Sequence, residues 1–583
     1  MPTVAKSSNT NDKIQIEKEL SNIVKLPDSE IDLFETLLLI SKHWDPSLQT
    51  QPLRREITNL ISDVQKHLPG NTETIIQSLR HAIHTKAGYR YTEQVDIRGI
   101  PVNNEELFLH GMLKTKRGYC MNLSLLYLIL GQKLDLPLFG VPLPNHFFVR
   151  YEKGGNRINI EATEMGTSFS DSFYRQRHLN SSGTKSSYFL KNLDTKQTLG
   201  AYFSNVGMVY YHNQKVERAI FYLQLSTKIN PNSIDAQNNL ANIYSEQKNF
   251  KAAIKHYNLA LKASPRNLPT LFNLALAYQE NGSFDAAIES FLQVTQIDNS
   301  YTPAHQRLAN LFLKSNRIIS SLLHLKALVR LQPENIQNKF NIANAFSRLK
   351  QYALAIQTLK SMRIQFPDNK NISARLAEAY YRINDFAQAT EQYRYLIDQN
   401  PVDLKNYIQL GWTYYRIDEL AMASAWTMRG LKKNKGGGKL VTLAMMNLGF
   451  YSLLQKQYTD AKSWYRKVLA SNPPEIAESL ITDIQSATNP QRADLKFFSG
   501  WIYSEIKQDE KAKRFLQSYL ALEANGNFSE EARSLLKSYG IKDVLYFQKI
   551  SGPLINFSPP SDMVLIPSGF FKMGLNDGLD DER

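Results

Sequence analysis

Three side chains in the first third of the sequence could together carry out acyl chemistry: Cys120, His146 and Glu161. A thiolate attacks a carbonyl carbon, an imidazole manages the proton, and a carboxylate orients the imidazole. Cys120 lies in Arg117-Gly118-Tyr119-Cys120-Met121-Asn122, at the head of an apolar stretch running through Leu123–Tyr127. That pattern predicts a helix beginning close to Cys120, where the dipole and free N–H groups favour a thiolate. After Leu136-Pro137 the pattern turns to period two in Val141–Tyr151, then passes Gly154-Gly155 into Arg157–Thr163. Two such runs around a Gly-Gly turn predict a β-hairpin. With the turn centred on the glycines, Phe148 faces Glu161 and His146 lies diagonal to it on the same face. A loop of odd length would send the two side chains to opposite faces. Taken singly, a cysteine in an apolar helix is a small buried hydrophobe and a strand histidine a satisfied core residue. Their order and register are what join them.

Other histidines offer less. His43, His67, His81 and His84 have no partner spacing that suggests chemistry. His81 and His84 fall one helical turn apart without a third ligand, which argues against a metal site. No cofactor is expected either.

The segments Arg117–Cys120, Pro144-Asn145-His146-Phe147 and Ile160-Glu161-Ala162-Thr163 resemble the transglutaminase-like superfamily in its bacterial SirB-type branch. The resemblance implies a small α+β domain over 31–195, with cysteine at the head of a core helix and histidine and an acid on successive strands. It would make Cys120 the nucleophile, His146 the general base and acid, and Glu161 the orienting carboxylate. Glu161 departs from the aspartate more common in the superfamily. Many SirB-type members lack the cysteine, whereas here the chain's single cysteine occupies that position.

Beyond residue 200 small residues recur at a step of about 34: Gly207, Ala241, Ala275, Ala309, Ala343, Ala377 and Gly411. A second small residue follows each (Ala219, Ala253, Ala287, Ser321, Ala355, Ala389, Ala423), and an aromatic lies three past each first anchor. Pro231, Pro265, Pro333, Pro367 and Pro401 close units, because proline cannot continue a helix. The pattern resembles the tetratricopeptide repeat, with seven units in 200–435 and two more in 436–540. These last are set off by Gly436-Gly437-Gly438 and by an insertion containing Asn489-Pro490. The expected fold class is therefore mainly α: a tetratricopeptide α-solenoid preceded by the α+β domain. In such proteins the first helix of each unit lines the concave face. Asn205, Asn239, Asn273 and Asn341, interrupted by Arg307 and Arg375, recur there, with Gln409 and Asn447 further on. A side-chain amide offers a donor and an acceptor to a peptide backbone, and arginine attracts acidic groups.

Composition bounds the rest. At 583 residues with 43% hydrophobic and 21% charged, the chain can build several cores. One cysteine excludes an intrachain disulfide and any multi-cysteine metal cage, and fits a reducing compartment. No apolar stretch approaches a membrane span, Leu123–Leu130 being among the longest, and no secretory pattern opens the chain. A soluble, cytoplasmic protein is expected. The net charge of +15 falls mostly on the repeats, which favours an acidic partner. No zinc-finger or RNP signature accompanies it, so nucleic acid is a minor option.

Residues 1–30 read as a polar, flexible start and 541–562 as a linker. Met563–Gly574 with the acidic stretch after it is similar to the opening of formylglycine-generating-enzyme-like (sulfatase-modifying-factor) domains. That match covers about twenty residues and no catalytic position, too little for a core, and reads as a truncated domain. The leading expectation is a scaffold binding a protein or peptide partner. The alternative is a cysteine-dependent acyltransferase or peptidase whose substrate the repeats recruit, and a third is a structural cap on the array.

Overall fold

The computed structural model describes residues 4–541, apart from 69, 93, 95–101, 180–187, 435, 471–472, 488 and 490–491. The sulfatase-modifying-factor-like segment and nearly all of the expected linker lie outside the described residues. The chain divides into two compact units, one ending at Arg317 and one beginning at Ile318.

The first unit opens on a helix, Val4–Ile23, where the sequence suggests a flexible start. Its second half carries the apolar residues that reach the core: Leu20 is buried, and Ile16 and Ile23 pack against the same cluster. Helices Leu33–Trp44, Gln51–Gln65 and Thr72–Arg80 come next. At the centre lies α1 (Cys120–Lys133), buried on every side from Met121 to Gly131. A helix apolar all round belongs in a core.

A three-stranded antiparallel sheet packs on α1: β1 (Leu138–Leu143), β2 (His146–Lys153) and β3 (Asn156–Ile160), in that order. Pro144 and Asn145 make the first turn, with Asn145 at φ 55, so that His146 pairs with Leu143 as the opening residue of β2. Gly154 (φ 58) and Gly155 (φ 85) make the second turn, both in the left-handed region a tight hairpin demands. The register pairs Lys153 with Asn156 and Val149 with Ile160. One step further sets Phe148 opposite Glu161, as the hairpin arithmetic predicts. Glu161 itself lies just past the end of β3, where it caps the short 3-10 turn Ala162–Glu164. Helix α2 (Asp171–His178) follows.

The repeats begin with α3 (Thr195–His212), α4 (Val216–Ile229) and α5 (Ile234–Glu246). The small anchors sit where helices touch. Ala241, Ala275, Ala343 and Ala377 are all buried, as are Ala219, Ala253, Ala287, Ala355 and Ala389. A Cβ on Gly207 would lie 2.8 Å from Leu223 and 3.1 Å from the Ala219 carbonyl, which only glycine avoids without a shift. Helices end at Ile229, Ala263, Gln365 and Gln399, two residues before the prolines. The solenoid is thus an α-helical repeat architecture.

In the second unit the sequence pattern is incomplete. The eighth repeat's second helix ends at Leu469, and Pro473 then begins an additional helix, Pro473–Gln485, that the repeat pattern does not announce. Proline suits the first helical position because its missing N–H would have had no partner there. The insertion before the ninth repeat is therefore largely helical, and a further helix, Ser529–Ser538, follows that repeat.

Candidate functional site

Helix α1 starts at Cys120 for local reasons. Gly118 pairs with Tyr91 in a short parallel bridge, and the Asn122 carboxamide accepts the Tyr119 N–H at 2.6 Å. The thiol of half-buried Cys120 is therefore held at the first turn, whose N–H groups lack intrahelical acceptors. Across from it, His146 Nε2 lies 2.7 Å from Glu161 Oε2. Cys120 lines the same cavity as His146 and acts on the imidazole to raise its pKa. The structure brings Cys120, His146 and Glu161 together on the lining of one cavity, with His146 and Glu161 in direct contact.

Glu161 is only 3% exposed, and each of its oxygens is occupied. Oε1 accepts from the Thr163 hydroxyl (2.6 Å) and N–H (3.2 Å), while Oε2 accepts from the Tyr174 hydroxyl at 3.0 Å as well as facing His146. Burial alone would raise its pKa, but the His146 hydrogen bond and charge, with Thr163, hold it below the usual range. For His146 burial pulls downward, and the Cys120 and Glu161 side chains outweigh it, raising the imidazole to about 10. The pair is therefore an imidazolium–carboxylate pair at neutral pH.

Sequence reasoning missed α2, which supplies two aromatic groups. Tyr174 stacks on Phe148 with centroids 4.0 Å apart and 4° between planes. His178, one turn on, stacks on His146 at 4.9 Å and 8°. Burial lowers the His178 pKa first, and the His146 charge lowers it further. The spacing of Tyr174 and His178 was the available signal, since four residues apart on a helix share a face. Arg150 anchors the start of that helix. It is 1% exposed and bonds Asp171 at 2.6 Å and Asn159 at 2.8 Å, and Asn159 in turn bonds Asp171.

The three side chains open into a cavity of about 880 Å³. Part of its lining comes from the repeats, including Asn205 and Met208 on α3 and Asp235 and Asn239 on α5. The remaining candidate peptide-binding residues stand apart from it. In the first unit the Asn273 amide donates to Asn242 at 3.3 Å, and Arg307 is exposed. In the second, Asn341 accepts from Gln337 at 3.1 Å, and Arg375 bonds Asn344 while lying 5.0 Å over the Phe340 ring. Gln409 and Asn447 are buried, so the periodic position turns into the core there.

Of the other histidines, His67 and His81 are exposed, whereas His43 and His84 are structural. His43 is fully buried with Nδ1 2.7 Å from the Tyr222 hydroxyl, and His84 Nδ1 meets the Tyr89 carbonyl at 2.8 Å. Among the described residues no group of three or more His, Cys, Asp or Glu could hold a metal ion. No helix among them is long and apolar enough to cross a membrane.

Residues 51–200 match the transglutaminase-like superfamily, and residues 233–300 and 347–411 match tetratricopeptide repeats. No curated protein matches the chain. Among solved structures, a tetratricopeptide repeat protein from Parabacteroides merdae is 14% identical, covering 42% of this chain and 98% of its own (TM-score 0.27). The C-terminal part of a TPR repeat-containing protein from Cytophaga hutchinsonii is 15% identical, covering 45% and 98% (TM-score 0.33). YrrB, described as a TPR protein with an unusual peptide-binding site, is 14% identical, covering 30% and 91% (TM-score 0.26). The chain carries a transglutaminase-like domain followed by tetratricopeptide repeats, the architecture of a protein-interaction scaffold.

Proposed function

We propose that Cys120, His146 and Glu161 act as a nucleophile, acid–base and orienting group in cysteine-dependent acyl transfer or amide hydrolysis, on a substrate that the repeats recruit. The observation supporting this reading is that His146 contacts Glu161 at 2.7 Å while Cys120 lines the same cavity as both. The Cys120 sulfur attacks the acyl carbon, and His146 delivers its proton to the departing amine or alkoxide as the C–N or C–O bond breaks. Water or an amine then gives its proton to His146 and displaces the sulfur. The N–H groups of the first turn of α1, at whose start Cys120 sits, would be the donors to the oxyanion.

The SirB-type assignment rests on Pro144–Phe147 and Ile160–Thr163 around the two partners. A reducing, cytoplasmic location fits a working thiol, and the positive charge of the repeats favours an acidic region in the protein partner.

Labelling with iodoacetamide at pH 6 tests the chemistry. Stoichiometric alkylation of Cys120, slowed at least tenfold by His146→Ala, is the expected result. Glu161→Gln should slow it less than His146→Ala, since orientation contributes less than the charged ring. A thiol that reacts at the rate of an ordinary cysteine, indifferent to His146→Ala, would leave a binding scaffold with an inert domain.

A further inference from the structure

A hydrogen bond at one ring atom does not fix the plane of an imidazole. His146 meets Glu161 through Nε2 at 2.7 Å. The χ2 torsion of a histidine is soft, so the ring can still turn on that contact. Its plane is set by what lies on its face. His178 stacks there with centroids 4.9 Å apart and 8° between planes, a parallel contact within the range of stacked rings. Tyr174 reaches the same ring only at 6.3 Å and 23°.

His178 is in turn held in place by its own helix. It lies one turn past Tyr174 on α2, and Tyr174 is fixed twice over: its ring stacks on Phe148 at 4.0 Å, and its hydroxyl donates to Glu161 Oε2 at 3.0 Å. The same helix therefore grips the carboxylate and carries the ring that lies on its imidazole partner. Half-buried, His178 lines the cavity that also contains Cys120. Burial and the His146 charge hold its pKa down, with Arg177 pushing the same way and Glu161 and the Pro144 carbonyl opposing them. The stack thus sets a neutral ring, not a second cation, on the charged imidazole.

We infer that His178 is a positioning residue for the chemistry of Cys120: the flat face of its ring holds the His146 imidazole in the plane that meets Glu161. The inference rests on the nucleophile reading above and adds a residue that acts through His146.

Alkylation of Cys120 by iodoacetamide across a pH series tests it, the sulfur–carbon bond forming as iodide leaves. His178→Leu fills the space without a flat face, and His178→Phe returns one. At about pH 6 the full-length His178→Leu protein should react at least about fivefold slower than the parent, with its inflection at higher pH. His178→Phe should recover the parent rate to within about twofold. At about pH 9.5, where even an ordinary thiol is ionised, the three rates should converge, which damage to the fold would not allow. Equal rates for the leucine and phenylalanine variants at the lower pH, or a deficit that persists at the higher one, overturn the inference.

A Cys120 that reacts as an ordinary thiol in the parent protein defeats the nucleophile reading instead. The titration of His146 then decides the inference alone, followed by NMR of isotope-labelled histidine with His146→Gln assigning the signal. In His178→Leu the midpoint should fall by at least about one pH unit toward the ordinary histidine value, as the grip of Glu161 slackens. In His178→Phe it should stay near that of the parent. Equal midpoints in all three proteins overturn the inference.

Discussion

At the scale of single residues, His146 and His178 form a pair of rings of which only one is built to be charged. The His146 ring carries its proton up to about pH 10. Relative to an ordinary histidine its pKa is raised, so its contribution to stability is complete below about pH 6.5 and is lost as pH rises through about 10. Glu161 has the opposite sign. Its pKa is depressed, so its contribution is present above the ordinary carboxylate range and is lost as pH falls through the lowered value. His178 is depressed as well, by burial and by the His146 charge, with Arg177 acting in the same direction and Glu161 against it. A histidine whose folded pKa lies below its unfolded one destabilises the fold as pH falls below about 6.5, because the unfolded chain takes the proton more readily. Melting temperature should therefore decline from pH 7 to pH 5 in the parent protein. In His178→Phe, which keeps a ring over His146 but cannot be charged, the decline should be shallower. Parallel curves for the two proteins would show that the stacked pair does not titrate in this way.

At the scale of elements, the hairpin was legible and the helix behind it was not. Period-two alternation around Gly154-Gly155 sets the register of β2 on β3, and that register carries His146 and Glu161 to one face. The helix Asp171–His178 is short and mostly polar, with Tyr174 its one buried residue, so no apolar stripe announces it. It is held by the packing of Tyr174 and Phe173 in a small cluster with Phe148, and at its start by Arg150. The periodic turns of the repeats were equally hidden. Gln214, Lys248, Asn316, Lys350, Asn384 and Asp418 all take φ near +60 at the same place in each unit, where the sequence offers glycine only at Gly282. Helix packing on both sides outweighs the local cost of that conformation, which is about 1–2 kcal/mol for a non-glycine residue. Arg150 gives the testable case. Replacing it with methionine removes a charged partner of Asp171 and three further hydrogen bonds, and should cost about 3 kcal/mol in denaturant unfolding. Asp171→Asn keeps the hydrogen-bonding shape and should cost about 1 kcal/mol. Were Arg150→Met as mild as Asp171→Asn, the network would be an incidental contact and not the anchor of α2.

At the scale of the whole molecule, the sequence divides more sharply than the packing does. Similarity to the transglutaminase-like superfamily stops at residue 200, yet one hydrophobic core runs across that point. Leu37, Phe108 and Leu126 share it with Tyr202, Val206, Tyr210, Tyr222 and Leu240. His43 reaches Tyr222, the Tyr202 hydroxyl donates to the Leu107 carbonyl at 3.0 Å, and Trp44 lies 5.3 Å from the Tyr210 ring. Nothing in the local pattern signals this, because motif spacing describes each element and not what its apolar face will cover. The consequence is that the α+β domain lacks a complete core without α3 and α4. A fragment of residues 1–195 would expose the surface that those helices cover, and at about 25 cal/mol per Å² of apolar area each large side chain uncovered is worth roughly 1.5–3 kcal/mol. Several such losses together exceed the stability of an ordinary domain. The 1–195 fragment should bind a hydrophobic dye and lack a cooperative melt. A fragment of residues 1–317, which retains the whole first unit, should melt in a single transition. It should also keep the reactivity of Cys120 toward iodoacetamide. A stable, cooperatively melting 1–195 fragment would mean that the shared core is dispensable and that the repeats merely lean on a finished domain.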